Sequence, residues 1–276
     1  MSTTTSTTTS TTAGTGNSDT STGEGTSLGL AVSTVIFALR ADRSGVPIVW
    51  LPLVRRTREP FFEQWALPGG IVGANESLEG AARRNLGDTT RLEPAYLEQL
   101  YAFGNVDRSP GQRLVSIVYW ALVRPDEAER VTLGDNVRWF EADTLPDLAF
   151  DHNLIVDYAL WRLRTKMEYS RIAHAFLGPR FTIAELREVH EAVLQKPLDP
   201  ANFRRQMETS GVIEPTGEVV TGGRHRPPRL YRYVGDVELV DAGPLTRTGL
   251  PAAPATHAGA PAAHHTHTTS PARIPA

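Results

Sequence analysis

The sequence predicts an α+β protein made of two successive parts, a mixed β-sheet with helices followed by a helical unit that ends in a β-hairpin. Residues 28–40 and 47–56 are runs rich in Val, Ile, Leu and Phe, which is typical of strands. A Gly-Gly turn then leads into a single amphipathic helix. After residue 151 the apolar spacing becomes helical, with strong capping residues, which indicates a second unit of different construction.

Composition sets broad limits on what the protein can be. The chain has 276 residues, 40% hydrophobic and 21% charged, with a net charge of −3, so it has room for about two domains and no uniformly basic surface. It contains no cysteine, which excludes disulfides, thiol catalysis and cysteine-based zinc sites. No apolar run reaches the ~18 residues of a membrane span. We therefore expect a cytoplasmic protein without a membrane partner.

Both ends of the chain are of low complexity. Residues 1–26 are mostly Thr, Ser and Gly, without the basic start and apolar stretch of a signal peptide, so we expect them to be disordered. Residues 237–276 are predicted to form a second disordered tail, dominated near the end by Ala, Pro, Thr and His. His264, His265 and His267 lack a carboxylate or Cys partner, so we predict no metal site there.

The first half is predicted to form a domain over residues 27–150. Residues 41–46 have the turn chemistry of a hairpin between the first two strands. Residues 96–103, 113–124 and 137–140 predict further strands. A connector helix is expected over residues 151–167, followed by a short helical segment over residues 169–176.

The helix of the first half begins after an unusual motif. Gly70, Glu76 and Arg84 have the spacing of a Nudix box, and the segment from Trp65 to Val72 resembles the one that enters that box. The resemblance implies a Nudix-like α/β/α sandwich over roughly residues 27–165. Where Nudix hydrolases carry metal-binding glutamates, this chain has Asn85, Asp88 and Thr89. Because Mg²⁺ needs anionic oxygen ligands, we expect no catalytic residue and no catalytic metal.

Several side chains of this domain could contact a nucleotide. Arginines at a strand end can pair with phosphate oxygens, and an indole offers a flat face for a base. The loop at residues 104–112 lies where Nudix proteins place specificity residues, which favours its charged pair. The simpler alternatives are that the strand-end arginines are solvated and that the indole belongs to the core. The candidate ligand contacts are Arg55, Arg56, Trp65, Glu76, Asp107 and Arg108.

The second half, residues 168–236, contains two strong helix starts. Thr182 and Glu185 form a capping box, and Asp199-Pro200 starts a helix sharply. Phe203 and Met207 form the inward edge of this last helix, which leaves its polar side chains facing outward. A helix, a short turn and a second helix with basic and amide side chains are typical of a helix-turn-helix. The candidate DNA contacts here are Lys196, Asn202, Arg204, Arg205 and Gln206.

A hairpin follows the second helix. Residues 211–217 and 228–234 can pair, and their connection is bent by Gly and Pro, basic and free of acids. A local cluster of positive charge is what phosphate binding requires. We predict a wing that contacts DNA through Arg224, His225, Arg226 and Arg229.

The order of these motifs in one chain resembles the NrtR family, the Nudix-related transcriptional regulators of NAD metabolism. The resemblance rests on residues 65–70, Asp107-Arg108, residues 198–205 and residues 223–233. It implies a homodimeric repressor that binds double-stranded operator DNA near NAD synthesis or salvage genes. It also implies a small-molecule effector, ADP-ribose or a related nucleotide such as NAD, with no other cofactor.

Two other functions fit the same residues. The spacing of the box, with Glu76 and Arg84, would suit a hydrolase of ADP-ribose or a similar diphosphate. An adaptor whose Nudix-like part only dimerises would bind no nucleotide. Turnover with Mg²⁺ or Mn²⁺ would indicate the first alternative, and an absence of ligand affinity the second.

Overall fold

A computed structural model describes residues 28–235 with the exception of Glu93, Ala95, 130–135, Ser170 and 222–226. The two predicted tails lie outside the described residues. The wing-tip residues Arg224, His225 and Arg226 lie outside them as well. Within the described part of the chain, no helix is both long and apolar enough to cross a membrane.

The first half forms a seven-stranded mixed sheet. The central strand β1 pairs in parallel with β6 and antiparallel with β2 and β4. β5 lies beyond β6 at one end of the sheet, and β3 and β7 both pair with β2. The strands are β1 (Gly29–Ala41), β2 (Pro47–Arg55), β3 (Trp65–Ala66), β4 (Gly69–Ile71), β5 (Tyr96–Phe103), β6 (Leu114–Val123) and β7 (Val137–Glu141).

The predicted hairpin between β1 and β2 is confirmed, and its turn is built by one side chain. Asp42 Oδ1 accepts hydrogen bonds from the backbone N–H groups of Ser44 (2.8 Å) and Val46 (2.9 Å). Gly45 follows at φ 86°, in the left-handed region where glycine is favoured. This local chemistry fixes the register in which Ala41 pairs with Pro47.

Helices cover both faces of the sheet. Because side chains alternate along a strand, Val32 and Ile36 of β1 pack on one side with helix α1 (Leu78–Thr90). Val35 and Phe37 pack on the other side in the cluster that contains helix α3 (His152–Tyr169). A short helix α2 (Pro125–Glu129) follows β6. The arrangement is the predicted sandwich.

Two segments differ from the sequence prediction. The connector helix α3 continues to Tyr169, two residues beyond the predicted end. The short helical segment predicted after it begins later than expected and is a 3-10 helix at Ile172–Phe176, a form common in connections of this length. The two- and three-residue strands β3 and β4 and the five-residue helix α2 were not predicted, because such lengths carry no readable periodicity.

The second half contains the predicted helix-turn-helix and hairpin, which we call the winged-helix unit. It consists of α4 (Ile183–Leu194), α5 (Pro200–Thr209), β8 (Ile213–Val219) and β9 (Arg229–Tyr233), with the two strands antiparallel. Thr182 and Glu185 make the complete capping box at the start of α4. Asp199 caps α5 and Pro200 stands in its first turn. Caps of this kind stabilise a helix by about 1 kcal/mol each.

One hydrophobic cluster extends from the sheet into the winged-helix unit. It includes Phe37 of β1, Ile155 of α3, Leu186 of α4, Phe203 of α5 and Tyr231 of β9. Polar contacts follow the same route on α3. Arg164 Nε donates to the Val193 carbonyl of α4 at 3.0 Å, and Lys166 Nζ lies 2.7 Å from Glu98 Oε2 of β5. α3 is therefore fixed to both parts.

Candidate nucleotide cavity and DNA-binding surface

A cavity of about 310 Å³ lies beside the sheet, between β1, β4, the loop after β5 and the start of α3. Its walls carry two guanidinium groups, one imidazole, three serine hydroxyls and one carboxylate. Such a mixture of convergent polar groups is typical of a ligand site. The polar lining residues are Ser33, Arg56, Glu59, Arg108, Ser109, Gln112, Ser116 and His152.

Arg108, a predicted ligand contact, lines this cavity and is paired with a carboxylate. Its Nε donates to Asp151 Oδ2 at 2.9 Å and its Nη2 donates to Asp151 Oδ1 at 2.7 Å. The side chain is only 3% exposed. Asp151 immediately precedes α3, so this bidentate pair joins the loop after β5 to the start of the connector helix.

His152, the first residue of α3, was missed by the sequence reasoning. It is buried, and its Nδ1 accepts the backbone N–H of Leu67 at 3.0 Å. Burial, together with the nearby cations Arg108 and Arg56, lowers its pKa to about 3, although Asp151 acts in the opposite direction. The imidazole is therefore neutral at physiological pH. Its only sequence signal was a histidine at a helix start beside an acid.

Arg56 also lines the cavity, as predicted for a ligand contact. Its Nε donates to the Pro60 carbonyl at 2.8 Å, and its guanidinium lies 4.7 Å from the centre of the Phe150 ring. Phe150 has φ 59°, an uncommon conformation for a residue with a side chain. Partial burial lowers the pKa of Arg56. Arg55 lies beside a neighbouring cavity of about 220 Å³ and pairs with Glu63 at 3.2 Å.

Three predicted ligand contacts lie away from the walls of the larger cavity. Trp65 packs edge-on against Phe140, with ring centres 5.0 Å apart, so the core alternative describes its position. Asp107 is exposed on its loop. Glu76 is held by Arg84 and by the backbone N–H of Gly73, each at 2.6 Å, and these bonds lower its pKa to about 2. Glu76 thus ties a loop to α1.

The box residues of α1 differ in their exposure. Asn85 is buried, its Nδ2 donates to the Ala81 carbonyl at 2.8 Å, and a Cβ at Gly70 would lie 2.7 Å from its Oδ1. Thr89 is half-buried and Asp88 is exposed. Among the described residues, no group of three or more His, Cys, Asp or Glu side chains could hold a metal ion.

The predicted DNA-contacting residues of α5 all face solvent. Phe203 is buried against the unit, while Asn202, Arg204, Arg205 and Gln206 are exposed. Arg205 Nη2 donates to Asn202 Oδ1 at 2.6 Å, which aligns a guanidinium and an amide on one helical turn. Arg and Asn are side chains that commonly read base edges.

Two further predicted DNA contacts, one on the hairpin and one before α5, lie among the described residues. Arg229 at the start of β9 is exposed, and so is Lys196 in the turn before α5. Tyr231 Oη donates to Glu208 Oε1 at 2.8 Å, which ties β9 to the end of α5. This bond holds the hairpin against α5.

Comparison with known proteins identifies both halves. A family model for the NUDIX domain matches residues 29–158, and one for the NrtR DNA-binding winged helix domain matches residues 173–233. The chain is 34% identical over 209 residues to the ADPR responsive transcriptional repressor NtrR of Acinetobacter baylyi, covering 74% of this chain and 81% of that protein. The chain belongs to the NrtR family. The predicted family is confirmed.

Two further relatives of this NrtR-family chain bear on its function. The structure of Shewanella oneidensis NrtR complexed with a 27mer DNA is similar at 34% identity with a TM-score of 0.62, covering 74% of this chain and 93% of that one. The ADP-ribose pyrophosphatase of Methanocaldococcus jannaschii is 34% identical over 111 residues, 40% of this chain and 66% of that protein. The predicted two-part fold is confirmed.

Proposed function

We propose that this protein is a transcriptional repressor that binds operator DNA through its winged helix and senses ADP-ribose, or a related NAD-derived nucleotide, in its Nudix cavity. The observation that carries the proposal is that one helix, α3, begins at the cavity and ends against the winged-helix unit. The names of the Acinetobacter and Shewanella relatives support both the effector and the DNA. Genes of NAD synthesis or salvage are the proposed targets, in the cytoplasm.

The proposed coupling follows α3 from end to end. At its start, Asp151 holds Arg108 and His152 lines the cavity. Near its end, Arg164 bonds to the Val193 carbonyl of α4 and to Asp143. The helix spans about 27 Å at 1.5 Å per residue. A ligand shifts operator affinity only if it binds the two conformations of the protein unequally, and contacts at a helix start can supply that difference.

We also propose that the Nudix domain binds its nucleotide without cutting it efficiently. The box helix offers one carboxylate, Asp88, where Nudix hydrolases carry several. Two other carboxylates are paired with arginines: Glu76 with Arg84 and Glu79 with Arg83. A hard cation needs several anionic oxygens, so this donor set does not suit Mg²⁺. The similarity to the Methanocaldococcus pyrophosphatase favours the alternative, a hydrolase with a fused DNA-binding domain.

A homodimer is the proposed operator-binding form. One helix-turn-helix reads one half-site, and two-fold symmetric operators match two-fold symmetric proteins. An exposed aromatic surface on β5 and α3 supports self-association: Tyr101 and Trp161 are each more than half exposed and both contact Tyr158. Contiguous exposed aromatic groups are typical of protein interfaces.

Operator binding in the presence of effectors tests the proposal. The purified full chain is titrated onto DNA from upstream of its own and neighbouring NAD-metabolism genes, with and without ADP-ribose, NAD and nicotinamide mononucleotide. We expect two chains per operator and a shift of about 5- to 150-fold in affinity with one of these ligands, the usual range of allosteric coupling.

Three results would contradict parts of this proposal. Rapid hydrolysis of ADP-ribose with Mg²⁺ or Mn²⁺ would favour the hydrolase. Operator binding that all three nucleotides leave unchanged at millimolar excess, with no measurable nucleotide affinity, would favour the adaptor. A stoichiometry of one chain per operator would contradict the proposed homodimer.

A further inference from the structure

We infer that His152 is a ligand-binding residue of the cavity, and that its Nε2–H donates a hydrogen bond to a diphosphate oxygen of the bound nucleotide. The inference rests on the proposed function, because it assigns the chemistry by which that cavity recognises its effector. It goes beyond the similarity to other NrtR proteins, since it concerns the position of one side chain in this molecule.

The hydrogen bond to Leu67 fixes the tautomer of the ring. A backbone N–H can only donate, so His152 Nδ1, 3.0 Å from Leu67 N, must accept and therefore carries no proton. In a neutral imidazole the other nitrogen then carries the hydrogen. Burial keeps the ring neutral by lowering its pKa to about 3. The proton is held on Nε2.

The same geometry leaves Nε2 as the unbonded nitrogen of a ring that lines the cavity. His152 is one of the residues that line it. In the described part of the chain, three fully buried side-chain atoms have no hydrogen-bond partner: Thr34 Oγ1, Trp120 Nε1 and His174 Nδ1. His152 Nε2 is not among them. No hydrogen bond joins Nε2 to another described residue, so its absence from that set means that Nε2 is not fully buried, and we take it as available to a ligand in the cavity.

The surroundings of the ring select the kind of acceptor. Arg108 and Arg56 both line the same cavity and are close enough to the ring to lower its pKa. Asp151 already pairs with Arg108, and Glu59 lies on the same wall, so the two guanidinium groups offer an anionic oxygen their remaining N–H donors rather than a net positive charge. A nucleoside diphosphate supplies several such oxygens. A neutral donor in the same cavity as these guanidinium groups adds a directional bond without adding another charge. Hydrogen bonds to charged groups are stronger than those between neutral groups.

The position of His152 in the chain would connect the bound phosphate to α3. It is the first residue of α3, and its neighbour Asp151 holds Arg108. A phosphate bound by His152 therefore attaches directly to the helix that reaches the winged-helix unit. Helix starts are favourable places for anions because their free N–H groups point outward.

Two substitutions separate the two nitrogens of the ring. His152→Asn places an amide near the Nδ1 position, where its oxygen can still accept the Leu67 N–H, but removes the Nε2 donor. His152→Gln places an amide near the Nε2 position and gives up the bond to Leu67. ADP-ribose affinity is measured by calorimetry and folding by thermal melting, both on the full chain.

We expect His152→Asn to bind ADP-ribose about 10- to 100-fold more weakly, the loss expected for one hydrogen bond to a charged group, while melting near the wild-type temperature. His152→Gln should melt earlier but keep its affinity within about threefold of wild type, a difference below 1 kcal/mol. A His152→Asn variant that binds like wild type would overturn the inference and leave the proposed function intact. Wild-type protein without ADP-ribose affinity would overturn both.

Nitrogen NMR of the wild-type protein tests the tautomer without any substitution. With ¹⁵N-labelled histidine, His152 should show a protonated Nε2 and an unprotonated Nδ1 between pH 5 and pH 7.5, in accord with a pKa of about 3. ADP-ribose should shift the Nε2 resonance and leave Nδ1 nearly unchanged. A protonated Nδ1, or an Nε2 resonance indifferent to ligand, would contradict the assignment.

Discussion

Arginines are used in two different ways in this molecule, at the nucleotide cavity and on the winged-helix unit. Arg108 is held by a bidentate bond to Asp151 with 3% of its side chain exposed. On α5, Arg204 is 60% exposed, and its nearest carboxylate, Glu208, is 4.0 Å away. Arg205 of the same helix is exposed, and among the described residues its side chain bonds only to the amide oxygen of Asn202.

The difference follows from what each region must bind. A cavity that surrounds a small ligand gains from cations fixed in advance, since little side-chain freedom remains to be lost on binding. A surface that meets DNA gains from hydrated, mobile cations that release counterions when they reach phosphate. The buried pair should therefore matter for folding and ligand affinity, and the exposed cations for salt-dependent DNA affinity.

Breaking the buried pair should have the largest effect. Asp151→Asn leaves Arg108 without its carboxylate inside the protein, so we expect a loss of about 3 kcal/mol in the free energy of unfolding, the lower end of what a broken buried pair costs. ADP-ribose affinity should fall as well, because the Arg108 side chain loses its fixed position. Urea unfolding and calorimetry measure the two losses.

A half-exposed pair of the same kind provides the control. Asp143 accepts two bonds from Arg164, whose side chain is 31% exposed. Exposed pairs contribute about 0–1 kcal/mol, so Asp143→Asn should destabilise much less than Asp151→Asn. Equal losses in the two variants would show that burial does not separate these pairs.

Lowering the pH should have the next largest effect on the free energy of unfolding, because three histidines are wholly or partly buried in their neutral form. Burial lowers the pKa values of His152, His174 and His190 below the ordinary 6.5. Below pH 6.5 the unfolded chain takes up protons that the folded protein cannot, so the stability is fully present above pH 6.5 and is lost as pH falls toward 3. His152 alone should cost on the order of 2 kcal/mol between pH 7.5 and pH 5.

Urea unfolding at a series of pH values measures this loss, and His152→Asn again supplies the control. The variant should lose distinctly less stability than wild type between pH 7.5 and pH 5, because it lacks the most strongly shifted of the three histidines. Glu76, with its pKa lowered to about 2 from an ordinary 4.5, contributes only below that interval. A pH profile identical in both proteins would mean that His152 is not buried in its neutral form.

The sequence predicted the winged-helix unit more fully than the cavity, for a physical reason. The capping box at Thr182 and Glu185, the Asp199-Pro200 start and the Asp42 turn are made by residues within four positions of one another. Local chemistry of this kind can be read directly from sequence. The exposed side chains of α5 could be predicted from helical spacing once Phe203 was assigned to the core.

The cavity depends on contacts between distant positions. Arg108 and Asp151 are 43 residues apart, and Leu67 and His152 are 85 residues apart. Each of these residues could be named from sequence, but nothing in their spacing shows that they meet. The sequence therefore did not predict that Asp151 holds Arg108, and His152 was overlooked.

The exposed cations should show the smallest effects on folding and a distinct signature on DNA. Arg205→Ala should weaken operator binding roughly tenfold, about 1.4 kcal/mol, with an unchanged melting temperature. Arg229→Ala should lower affinity less, and about equally for operator and unrelated DNA, while reducing the slope of log affinity against log salt by about 1. Fluorescence anisotropy from 50 to 200 mM salt measures both.

Arg83→Ala is the matched control, because Arg83 is a half-exposed arginine that pairs with Glu79 on α1, on the opposite face of the sheet from α3. It should leave both the affinity and the salt slope at their wild-type values. If Arg205→Ala and Arg229→Ala behaved like this control, the exposed arginines of the winged helix would be ordinary solvated charges. The proposed difference between buried, paired arginines and exposed, DNA-contacting ones would then be wrong for the DNA-contacting group. If Arg205→Ala instead lowered the melting temperature as much as Asp151→Asn, Arg205 would contribute to folding in the same way as Arg108.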